Sequence, residues 1–125
     1  MKILQKTLVI AGGVLFILGG IFHLLFWKFL DWKNELPKIS EVNSNVMQML
    51  NIGLIVLFLS FGFIMIYLRN EILSSRLGKA LLIFSSLFFL VRLIEEFVFP
   101  GSSVIAGIIL LVYTLIYLIP VLIKS

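Results

Sequence analysis

The chain has 125 residues, of which 62% are hydrophobic and only 13% charged, and its mean hydropathy is +1.21. Soluble domains carry roughly 25% charged residues, so this composition excludes an ordinary water-soluble core and predicts one integral membrane domain, residues 1–125, with lipid as its solvent. The net charge of +4 rests on Lys and Arg residues placed singly at segment ends, which points away from nucleic acid and toward membrane topology.

The first apolar run covers residues 7–29 and follows Lys2 and Lys6 in the manner of a signal peptide. It is longer than the roughly 7–15 residues of a signal h-region, and no A-x-A-like site follows it, so it is expected to stay attached as a membrane helix. Residues 31–45 form a polar loop containing Pro37, three acidic residues and two lysines. Within and beside it, Leu30, Trp32, Leu36 and Ile39 are expected on the bilayer surface, and Asn43 or Ser44 at the N-cap of the next helix.

The second run covers residues 46–68, and a short basic loop with Ser74 and Ser75 as candidate caps leads to the third, residues 80–99. Pro100 and Gly101 then make a tight turn into the fourth, residues 104–123. Each run has about the 20 residues that a helix needs to cross the hydrocarbon. The expected fold is an all-α membrane protein, a four-transmembrane-helix up-and-down antiparallel bundle.

With the N-terminus inside, Lys2, Lys6, Arg69, Arg76, Lys79 and Lys124 collect on the cytoplasmic side and only Lys28, Lys33 and Lys38 on the other. The positive-inside rule therefore predicts both termini in the cytoplasm, and the expected location is a bacterial inner membrane. Trp27 and Trp32 then fall at the outer interface.

Polar residues inside the runs are costly, at least ~2.5–3.5 kcal/mol for a charge at membrane depth, and each is a default site candidate. His23 lies 17 residues beyond Lys6, Glu96 lies 17 beyond Lys79, and Asn51 lies 17 before Leu68. At 1.5 Å per residue the three share one depth, ~25 Å from the cytoplasmic end, with Gln48 one turn further out. On a helical wheel Gly12, Phe16, Gly19, Gly20, His23 and Trp27 share a face, as do Ser44, Met47, Gln48, Asn51, Ile55, Phe58 and Gly62. So do Ser85, Phe88, Arg92, Glu95, Glu96 and Phe99, and, on the fourth helix, Ser103, Gly107, Thr114 and Tyr117. The expected ligand- or proton-binding set is His23, Gln48, Asn51, Arg92, Glu95 and Glu96. One Arg beside two carboxylates leaves a surplus negative charge, which a protonated carboxyl or a charged His23 would balance.

Several chemistries are excluded. With no Cys there is no disulfide, no thiolate metal site and no cysteine-dependent quinone or thiol redox relay, and one His denies bis-histidine haem ligation within a single chain. No cofactor or metal is expected. The leading expectation is a pocket in the outer leaflet that binds a small molecule or lipid, with proton-linked transport as one use of it. Transport would call for a homodimer. The alternatives are an enzyme acting on a lipid or isoprenoid by His/Glu acid–base chemistry, and a non-catalytic subunit whose charges pair with another membrane protein.

Overall fold

A computed structural model describes residues 2–101 and 103–124, and among these residues every regular element is helical. Four helices are long and apolar enough to cross a membrane: α1 (Lys2–Leu24), α4 (Glu41–Tyr67), α6 (Arg76–Val98) and α7 (Val104–Leu122). Short helices α2 (Phe26–Phe29), α3 (Trp32–Glu35) and α5 (Arg69–Ser74) lie between them, with a 3₁₀ turn at Leu36–Lys38. Large apolar side chains such as Val56, Phe63, Phe84 and Ile108 are exposed around the outside of the long helices. That is the inverse of a soluble bundle, whose outward faces are polar, and it marks an integral membrane protein.

Three of the long helices start on serine caps. The hydroxyls of Ser40, Ser75 and Ser103 accept from the backbone N–H of Asn43, Gly78 and Ala106. The cap of α4 is therefore neither Asn43 nor Ser44, and the helix starts at Glu41, five residues before its apolar run. A serine cap followed by an acidic first turn satisfies the free N–H groups and complements the helix dipole, so the polar residues 41–45 join the helix.

The apolar run 7–29 is helical but broken at Leu25, whose N–H is shared between the carbonyls of Ile21 and Phe22. Asp31 then takes a left-handed conformation, φ +49°, one that Asp tolerates because its short side chain bonds locally; here its carboxylate accepts from Asn34. The chain turns back on itself at that point. Trp32 and Leu36 are consequently buried rather than laid on the bilayer surface, Trp32 against Phe26 and Trp27, while Leu30 and Ile39 are exposed as expected.

Helix α1 packs against α4 and α7, and α6 packs against α7, whereas α4 and α6 barely approach one another. The α1–α4 seam depends on glycine: a Cβ on Gly13 would sit 2.9 Å from the carbonyl oxygen of Gly62, and one on Gly62 would sit 2.7 Å from that of Gly13. Small residues let membrane helices approach to backbone contact, where dispersion replaces the missing hydrophobic drive. At the centre Phe16 packs edge-on against Phe58 and Phe61 and at a tilt against Phe89 and Tyr117, with ring centroids 4.8–5.8 Å apart.

The inward faces of α1, α4 and α7 follow the predicted stripes, apart from Met47 and Ser103, which are exposed. Helix α6 is rotated from its predicted face. Its buried residues are Gly78, Leu82, Ser85, Ser86 and Phe89, while Phe88 and Phe99 are exposed. The Ser86 hydroxyl donates to the Thr114 carbonyl at 2.7 Å, and this bond brings the Ser86–Phe89 side of the helix onto α7.

Candidate functional site

The site begins with a pair. The Nδ1–H of His23 donates to Asn51 Oδ1 at 2.9 Å, and Asn51 Nδ2 donates back to the His23 carbonyl at 2.9 Å. The second bond fixes the amide orientation, since a flipped Asn51 would set two acceptors against each other. The first bond then fixes the imidazole: Nδ1 must carry the proton. Among the described residues Nε2 has no hydrogen-bond partner, yet it is not a sealed, unsatisfied atom, so it is open to its surroundings.

His23 borders an open cavity of about 300 Å³ lined by all four long helices and α2. Its walls are mostly aromatic, formed by Phe22, Phe26, Phe58, Phe88, Phe89 and Tyr113. Tyr113 is held in that wall by its hydroxyl, which donates to the Leu15 carbonyl at 2.7 Å. Among the described residues the only other charge-bearing one in the wall is Arg92. A second cleft, of about 410 Å³, lies between α4 and α6, whose backbones stand apart while Phe58 and Phe88 meet with ring centroids 5.9 Å apart, and it shares Leu54, Phe58 and Phe88 with the first. The aromatic cavity thus adjoins a lateral gap between two membrane-crossing helices.

Arg92 also lines a shallow depression with Glu95, Glu96, Phe99, Pro100 and Gly101. Its Nη2 pairs with Glu96 Oε2 at 2.8 Å, and Glu96 Oε1 accepts from the backbone N–H of Ser103 at 3.2 Å. Glu96 is thereby fully engaged, tying α6 to the start of α7, and its side chain is 11% exposed against 46% for Arg92. A guanidinium has five donors, so Arg92 retains donors beyond those that Glu96 uses. Among the described residues no Lys or Arg lies within 4 Å of Glu95.

The six candidates therefore divide. His23 and Arg92 line the cavity, and Asn51 holds His23 from behind. Gln48 accepts from Trp27 Nε1 at 3.0 Å and borders a separate groove under the loop, with Trp32 and Lys33. Glu95 and Glu96 lie in the depression beyond Arg92 and do not line the cavity. Sequence places Phe58 and Phe88 on the faces of the candidate residues but does not single out the aromatic wall, because nothing in a membrane protein's composition separates a wall Phe from a packing Phe. The one available signal is helical spacing: Phe26 follows His23 by three residues and Phe58 follows Asn51 by seven. No three metal-ligating side chains gather among the described residues. The chain matches no known family model, curated protein or solved structure.

Proposed function

We propose that this protein binds an amphipathic molecule, a lipid or lipid-like compound, in the aromatic cavity. The observation that carries this reading is the cavity wall itself: aromatic on most sides, with one imidazole and one guanidinium, beside a lateral gap between α4 and α6. Apolar pockets with a few placed polar groups are the usual form of a ligand site, and about 300 Å³ is at the lower end of their size range, ~300–1,000 Å³. The lateral gap lets a tail enter from the bilayer without crossing water, and Arg92 offers its remaining donors to an anionic group on the ligand.

In this reading the four helices alternate in direction, with both termini in the cytoplasm of a bacterium. Its support is the basic residues gathered at one end and the seam contacts, which pair His23 late in α1 with Asn51 early in α4, and Gln5 with Ile123. The cavity then lies in the outer half of the membrane.

Native mass spectrometry of protein released from its own membrane tests the proposal. A co-purifying lipid is expected, diminished in Leu54→Trp, which fills the shared wall, with melting temperature unchanged, and diminished in Arg92→Ala by more than in Glu96→Gln, which breaks the same ion pair. Equal retention in Leu54→Trp and the unaltered chain would overturn it.

One observation favours chemistry on the bound molecule as a second reading. Nε2 of His23 is free while Nδ1 is anchored, the arrangement of a general base oriented by its partner. That reading expects His23→Gln to retain the lipid and lose any turnover.

A further inference from the structure

At the end of the bundle away from His23, the ends of α1, α5, α6 and α7 line a separate, partly open cavity of about 390 Å³. Three lysines line it, Lys2 and Lys6 from α1 and Lys79 from α6, together with Asn70 and Ser74. No carboxylate does. Among the described residues none of the three ammonium groups has an acidic side chain within 4 Å.

The usual intramolecular partner for cations in such a place is the C-terminal end of a helix, whose last carbonyls lack N–H donors. Here that role is filled by a neutral group. Gln5 Nε2, on the buried face of α1, donates to the carbonyls of Pro120 at 3.1 Å and Ile123 at 2.9 Å, closing the end of α7. Three lysines from two helices thus line one cavity with no side-chain counter-ion among the described residues, although like charges repel and favour splaying apart.

The remaining wall is apolar, with Leu73, Leu82 and Val121. Ile3 and Leu77, sequence neighbours of Lys2 and of Gly78–Lys79, are more than 80% exposed. At the end of helices that cross a bilayer, such residues meet acyl chains while the lysines stand at head-group depth.

From this convergence of Lys2, Lys6 and Lys79 over an apolar wall we infer a binding site for an anionic phospholipid of the adjoining leaflet. Its phosphate is held by the three ammonium groups and one acyl chain runs along Leu82 and Val121. Basic pockets between membrane helices on the cytoplasmic side recognise such head groups, and the topology proposed above puts this end in the cytoplasm. The inference does not depend on what fills the aromatic cavity.

The experiment uses the full chain in neutral detergent, with chain-matched phosphatidylglycerol and phosphatidylcholine added in equal amounts and retention read by native mass spectrometry. Phosphatidylglycerol is expected to be retained preferentially. Lys6→Gln or Lys79→Gln should each reduce that preference about fivefold, the weight of one lysine at an anionic surface, and the triple Gln variant of Lys2, Lys6 and Lys79 should abolish it. The triple Gln variant of Lys28, Lys33 and Lys38, with the same charge change at the other end, should leave the preference intact. Equal retention of both lipids, or equal loss in the two triple variants, overturns the site. Displacement by millimolar inorganic phosphate as effective as that by lipid assigns it to a free anion and overturns the lipid. If the triple variant does not fold, the single variants make the same comparison.

Discussion

His23 and Asn51 satisfy each other twice, side chain to side chain and side chain to backbone, both at 2.9 Å. The pair sits where α1 is about to break at Leu25, so one amide both closes a frayed carbonyl and sets the tautomer of the only histidine in the chain. Asn51→Leu removes both partners while keeping the volume. Hydrogen bonds between membrane helices average ~0.6 kcal/mol and reach ~1.7, because the unfolded chain in lipid also finds partners. Two bonds from one buried residue place the expected loss at about 1–2 kcal/mol, measured by reversible unfolding in mixed micelles. His23→Leu should cost less, since its carbonyl keeps the amide of Asn51.

Glycines of the same chain give opposite predictions. Gly13 and Gly62 meet through their backbones, so Gly62→Ala must push α1 and α4 apart, because a carbonyl oxygen cannot rotate away as a side chain can. The expected loss is about 2–3 kcal/mol, in the range of overpacking. Gly53 faces open space, with nothing within 4 Å of an added Cβ. Gly53→Ala should therefore be neutral or stabilise by up to about 1 kcal/mol through helix propensity. Unfolding of the two variants side by side decides it: equal effects would mean that the seam is looser than the close approach implies.

The turn from α5 into α6 supplies a third case. An added Cβ on Gly78 would overlap the backbone of Ile72, and the N–H of Gly78 is the donor to the Ser75 cap. Gly78→Ala should disrupt both the α5–α6 corner and the start of α6, costing more than Ser75→Ala, for which loss of the cap alone predicts ~1 kcal/mol. Protease nicking after residue 68 in Gly78→Ala, but not in Ser75→Ala, would display the opened corner.

Much of this arrangement is legible in the sequence. The apolar runs locate the four long helices, and the spacing of Gly12, Phe16 and Gly20, of Asn51, Ile55, Phe58 and Gly62, and of Gly107, Thr114 and Tyr117 identifies faces that are buried. The common depth of His23 and Asn51 anticipates their contact. Helix α6 resists the same reading because its charges pull the eye to the wrong line. Arg92 and Glu95 lie on the margin of the packed face, and the neutral pair Ser86 and Thr114 sets the rotation instead. Sequence also treats Arg92, Glu95 and Glu96 as one unit, whereas packing separates them: Glu96 is fastened to Ser103, a contact across a turn that helical spacing cannot foresee.

That separation yields the last prediction. Glu96 accepts from Arg92 at 2.8 Å and from Ser103 at 3.2 Å with its side chain 11% exposed, while among the described residues Glu95 has no cation within 4 Å. Glu96→Gln should destabilise by about 1 kcal/mol. The estimate stays small because Arg92 is nearly half exposed and exposed ion pairs are worth ~0–1 kcal/mol. Glu95→Gln should cost nothing measurable. Arg92→Leu is the sharper variant, since it leaves a poorly exposed carboxylate with only a backbone donor, and removing one member of such a pair costs more than the pair contributes. Arg92→Leu combined with Glu96→Gln should recover part of that loss, and a double-mutant cycle reads the coupling directly. If Glu95→Gln proves the more damaging of the two carboxylate changes, the pairing drawn here between Arg92 and Glu96 is not the one that holds α6 to α7.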